Sequence, residues 1–150
     1  MPDKTTSFWS KLAAITAFLG ALAAVGALVD NYLERGTDTS VSGTYNGQII
    51  NKTFGQGGKL RLILNDASGK ITGTVIITGA LGGSGPLEGQ REGNRIGFTS
   101  LEQSTGMLIA WEGVIEGSTI SGDYSVSLPM ASKVLNPTFP DQVGEWEVGK

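Results

Sequence analysis

Hydrophobic and polar positions divide this chain into two stretches of different period. From Leu12 to Val29 the sequence LAAITAFLGALAAVGALV runs for eighteen residues without a charge. As a helix it spans about 27 Å, close to the roughly 30 Å of a bilayer's hydrocarbon core. Trp9 and Tyr32 flank the run, where aromatic residues sit at the two membrane interfaces. A soluble core helix keeps a polar face, and here only Thr16 would supply one. A cleaved signal is the other alternative, since Lys4 and Lys11 precede the run and VGA ends at Ala27. The run is longer than the usual signal core of about 7 to 15 residues. The pattern therefore predicts a retained single-pass transmembrane helix within residues 1–35. Ala13, Ala17, Gly20, Ala21, Ala24 and Ala27 recur at steps of three and four, a small-residue face on which copies of the helix can pack. The expected partners of this segment are the lipid bilayer and further copies of the same chain.

After a polar linker at 36–40, the period becomes two. Apolar and polar residues alternate in short runs broken by Gly, Asn, Asp and Ser, which predicts strands at 41–50, 59–65, 70–78, 86–91, 94–99, 107–115, 118–126 and 143–148. NDASGK and REGNR supply turn chemistry between them. Taking the apolar face as inward places Tyr45 beside Gly43, Val75 beside Gly73, and Leu87 beside Gly89. Trp111 likewise stands beside Gly113, Tyr124 beside Gly122 and Trp146 beside Gly144. Inner glycines relieve crowding where a small sheet curls on itself, and their bulky neighbours fill the space. The fold class expected is mainly β: one N-terminal transmembrane helix, then a small eight-stranded antiparallel meander barrel over 41–150. A flat two-layer sandwich is the runner-up, since alternation alone does not separate the two.

Composition narrows the chemistry. The chain has no Cys and no His, which removes thiol catalysis, Cys-type zinc sites, and the commonest general base and metal ligand. Net charge is −3, with no basic field to hold long nucleic acid. Glu88, Glu112, Asp123, Glu145 and Glu147 fall outward by alternation, as do Lys59, Arg61 and Arg95. No pair of inner carboxylates supports glycosidase-type chemistry, so the chain is read as a non-enzyme with no cofactor and no metal. GALGGSG at 79–85 lacks the lysine and helix of a phosphate loop.

What remains is binding. Tyr45, Trp111, Tyr124 and Trp146 on the inner face could stack on a planar ring or pack as core. Arg91 continues the inward register of Leu87 and Gly89 at its strand's end, where a cation can meet a small anionic ligand or simply reach water. The connection from Ser127 to Gln142 carries Pro129, Pro137 and Pro140 with Met130, Val134, Leu135 and Phe139. It is longer than a hairpin needs, as lids and binding loops are.

SGTYNGQ, AWEG, SGDY and GEW together resemble the Gly and aromatic rhythm of avidin-like and lipocalin-like meander barrels, which hold one small ligand at the mouth. With the apolar run added, the chain resembles the membrane-anchored β-barrel effectors of bacterial antiphage signalling. Those effectors usually carry two membrane helices where this chain has one. That resemblance implies a barrel that binds a cyclic nucleotide messenger and helices that assemble in the inner membrane. Two further readings stand beside it: an extracytoplasmic binding or adhesion module, and a self-assembling structural subunit. Lys4 and Lys11 before the run, against Arg35 after it, favour the N-terminus inside and the barrel outside by an excess of one basic residue, which leaves the side of the barrel open.

Overall fold

A computed structural model describes residues 40–127 and 140–150 of the chain. The apolar run 12–29 with its small-residue face, and residues 128–139 of the proline-bearing connection, lie outside the described residues. Eight strands follow one another: β1 Gly43–Asn51, β2 Gln56–Ala67, β3 Lys70–Gly79, β4 Gly85–Glu92, β5 Arg95–Leu101, β6 Leu108–Glu116, β7 Thr119–Ser127 and β8 Gln142–Gly149. Each pairs antiparallel with its sequence neighbour, and β1 pairs with β8, so the sheet closes into a barrel. Closure leaves no free edge, and the sandwich alternative falls.

The period-two pattern sets which side chains face in. Along β2, Leu60, Leu62 and Leu64 are buried while Lys59, Arg61 and Ile63 are exposed. β2 is longer than the alternation indicated at both ends. Gly57 and Gly58 read as breakers, yet Gly57 pairs with Ile50, and Gly58 with Ile49 and Gly79. Pairing on both sides holds them extended despite their low strand preference. The β2–β3 hairpin needs two consecutive residues of positive φ, and Ser68 (54°) and Gly69 (90°) supply them.

Inside, rings and glycines are fitted to one another. Trp111 lies 5.6 Å from Phe98 in a stacked pair, 5.3 Å from Tyr124 and 5.8 Å edge-on from Trp146 (centroid distances). A Cβ at Gly113 would stand 2.8 Å from the Trp146 ring, and one at Gly144 would stand 2.4 Å from the Tyr124 ring. At these two positions the missing side chain makes room for a ring, Trp146 from β8 over Gly113 of β6 and Tyr124 from β7 over Gly144 of β8. Aromatic pairs in this geometry add to the burial of their area.

The meander sorts its connections by length. The β2–β3, β4–β5 and β6–β7 links are two-residue turns at one end of the barrel, the end that also holds Ser40 and Lys150. The connections 52–55, 80–84 and 102–107 fall at the other end, where β7 also finishes and β8 begins.

Candidate binding site at the loop end

The two ends differ in how their polar groups are used. At the turn end, Asp66 and Arg91 continue the inward registers of β2 and β4 and meet there. Arg91 Nε donates to Asp66 Oδ2 at 2.8 Å, with the side chains 9% and 1% exposed. The same carboxylate accepts from the backbone N–H of Val41 at 3.1 Å and of Gly69 at 2.8 Å. Burial by itself pushes the Asp66 carboxyl up. The hydrogen bonds from Gly69, Arg91 and Val41, with the arginine charge, outweigh it and hold the group below its usual value. Arg91 Nη1 also donates to the Gly93 carbonyl at 3.0 Å, and the Tyr45 hydroxyl donates to the Val41 carbonyl at 3.0 Å. This end is closed by groups that satisfy one another.

At the loop end the barrel opens into a cavity of about 230 Å³. Ile49, Ile77, Leu81, Met107, Ile109 and Val126 form its apolar wall, and Asn51, Gln56, Tyr124 and Gln142 its polar part. None of the described lining residues carries a charge. The loops around it are locally ordered by their own hydrogen bonds. Ser84 Oγ accepts from the Ile77 N–H at 2.9 Å, which fixes the 80–84 connection against β3. Glu102 accepts from the hydroxyls and backbone N–H groups of Ser104 and Thr105. These bonds, the Ser104 hydroxyl first, pull its carboxyl down to about 2 and shape the turn that brings in Met107.

The polar groups of the wall are oriented in sequence. The Phe54 N–H donates to Asn51 Oδ1 at 3.0 Å, which turns the Asn51 amide nitrogen toward Gln142, and Nδ2 donates to Gln142 Oε1 at 2.7 Å. Tyr124 is nearly buried, with its ring against Trp111 and over Gly144. Burial raises its phenol to about 12. Its hydroxyl has no hydrogen-bond partner among the described residues, and it is not sealed from solvent.

Of the five inner residues singled out by sequence, one lines this cavity, Tyr124. Trp111 and Trp146 are core: their indole N–H groups donate to Ser100 Oγ at 2.9 Å and to the Asp123 carbonyl at 3.1 Å. Tyr45 is bonded at the turn end, and Arg91 stands there too, paired with Asp66 rather than facing an opening. The outward placement of Glu88, Glu112, Asp123, Glu145 and Glu147, and of Lys59, Arg61 and Arg95, agrees with their exposure. Asn51 and Gln142 were missed. Both lie on the inward registers of β1 and β8 carried on to the loop end, the same extension that singled out Arg91. Among the described residues no group of Asp and Glu is placed to hold a metal ion.

No protein-family model matches the chain, and no curated protein matches it. Among solved structures it is similar to short afifavidin in complex with biotin, at 19% identity over 70% of this chain and 88% of that chain, with a TM-score of 0.44. The assignment of a closed eight-stranded barrel stands on this chain's own strand pairing.

Proposed function

We propose that this protein is a small-molecule binding barrel held at a membrane by its N-terminal apolar run, with the ligand entering at the loop end. The observation that carries the reading is the contrast within one barrel. One end is closed by a satisfied ion pair, while the other holds a largely apolar cavity with a tyrosine hydroxyl that has no partner among the described residues. Binding sites are commonly concave, apolar and fitted with a few polar groups, and they recur at the mouths of β-barrels.

The tether rests on the apolar length of 12–29 and its aromatic flanks. In this reading the barrel senses a ligand and the small-residue face of the run lets copies associate in the bilayer. The messenger version drawn from the antiphage effectors calls for cations at the phosphates. The described lining supplies none, so the proposal stands on barrel and tether and not on that ligand.

Two measurements test it. Full-length protein expressed in bacteria should sediment with membranes and resist carbonate extraction; release into the soluble fraction overturns the tether. Purified full-length protein exposed to a small-molecule extract should show a bound mass by native mass spectrometry that Ala80→Trp loses. Ala80 is exposed on the cavity wall, so the indole obstructs the opening without entering the core. A mass retained by both proteins, or by neither, overturns the loop end as the site.

A further inference from the structure

Resting on that reading, we propose that the loop end selects an uncharged ligand which presents a hydrogen-bond acceptor to the Tyr124 hydroxyl and the Gln142 amide. The chain of orientation on the wall leads to this. The Phe54 N–H holds the Asn51 carbonyl oxygen, so the Asn51 nitrogen must point at Gln142, and the Gln142 oxygen is thereby engaged. What Gln142 has left is its N–H groups, which form no hydrogen bond among the described residues. The Tyr124 hydroxyl also has no partner among the described residues, and like any phenol it keeps its proton throughout the ordinary pH range, burial only pushing its pKa further up. Tyr124 and Gln142 therefore offer donors to the cavity, while the amide oxygens of Asn51 and Gln142 each already accept a bond.

Donors alone would suit an anion as well as a neutral acceptor, so the choice between them turns on desolvation. An ion entering an apolar-lined site loses hydration that only a counter-charge and full hydrogen bonding recover. Two neutral donors return less than this, and no Lys or Arg lines the described wall. A ketone, amide or ester oxygen loses far less water and gains the same two bonds. The cavity of about 230 Å³ lies below the roughly 300–1,000 Å³ typical of drug-sized ligands. The ligand is accordingly small, an apolar body with one acceptor at its inner end.

An isosteric pair of dyes separates the outcomes. Acedan is a neutral naphthyl ketone whose emission reddens when its carbonyl accepts a hydrogen bond. In the matching naphthoate, an anionic oxygen replaces the acetyl methyl. Both are titrated into full-length protein in detergent, with Ala80→Trp in the same detergent subtracting dye taken up by micelles. Acedan should bind in excess of that control, and the naphthoate about tenfold or more weaker. Tyr124→Phe should weaken acedan by about 2- to 10-fold, the worth of one net hydrogen bond, and shift the bound emission to the blue. The selectivity is overturned, with the site left standing, if the naphthoate binds as tightly as acedan. The same follows if Tyr124→Phe changes neither affinity nor colour. No binding of either dye above the Ala80→Trp control overturns the selectivity and the loop-end site together.

Discussion

The two ends of this barrel are made by the same eight strands and treat polar groups in opposite ways. At the turn end the side chains of Asp66 and Arg91 lie inside the barrel, almost without exposure, and bond to each other and to the backbone of Val41, Gly69 and Gly93. At the loop end the inward registers finish in neutral residues, Asn51 and Gln142, and the Tyr124 hydroxyl is left over. A meander of even strand number puts alternate connections at alternate ends. One end can then be drawn tight by two-residue hairpins while the other carries the longer segments that form a site. The difference teaches that a charged residue on an inner register is a closure when a partner from another strand reaches it. A neutral residue with unused donors is the better pointer to a ligand.

The strongest way to break the comparison uses two ion pairs, one near each end. Arg91→Met leaves the Asp66 carboxylate buried without its counter-charge, and this should cost about 3 kcal/mol of unfolding free energy. Lys52→Met removes an ion pair with Glu145 at the loop end whose side chains are 49% and 54% exposed, and should cost less than about 1 kcal/mol. Urea unfolding of the two variants at neutral pH measures both. Equal losses would mean that the turn end is no more firmly closed than the exposed rim.

A smaller effect appears with acid. The Asp66 carboxyl is held below its usual 3.8 in the folded barrel, so the unfolded chain takes up a proton first as pH falls. The stability it contributes is complete well above that value, drains as pH drops through about 4, and is lost below the folded pKa. Glu102, lowered to about 2 by the Ser104 and Thr105 hydroxyls, adds a separate acid-labile part at the loop end. Asp66→Asn isolates the first contribution. Between pH 6 and pH 3, wild-type protein should lose more stability than the variant, and parallel curves would remove Asp66 from the account.

Much of the barrel was legible because period two is a local property. Alternation placed all eight strands, and the glycine beside each bulky inner residue carried the closure, which Gly113 under Trp146 and Gly144 under Tyr124 make concrete. The ends were not legible in the same way. Asp66 and Arg91 are 25 residues apart on strands that flank β3 and do not pair with each other, so their meeting depends on how sharply the sheet curls. Asn51 and Gln142 are 91 residues apart and become neighbours only when β1 and β8 close the barrel. Alternation says which side chains face in. It does not say which of them find partners, and that is what separates Arg91 from Tyr124.

The finest test of the comparison applies one substitution to both ends. Tyr45 and Tyr124 are each about 95% or more buried, at 3% and 5% exposure, and each becomes phenylalanine by loss of a single oxygen. Tyr45 donates to the Val41 carbonyl at 3.0 Å. Its removal deletes that bond and leaves the acceptor to find another, for a loss of about 1 kcal/mol. Tyr124 forms no such bond among the described residues, so Tyr124→Phe should unfold within about 0.3 kcal/mol of wild type, in the range of substitutions that break nothing. The hydroxyl at the turn end then belongs to stability and the one at the loop end does not. A loss at Tyr124 matching that at Tyr45 would mean its oxygen already has a protein partner, and the open end would lose the group that marks it as a site.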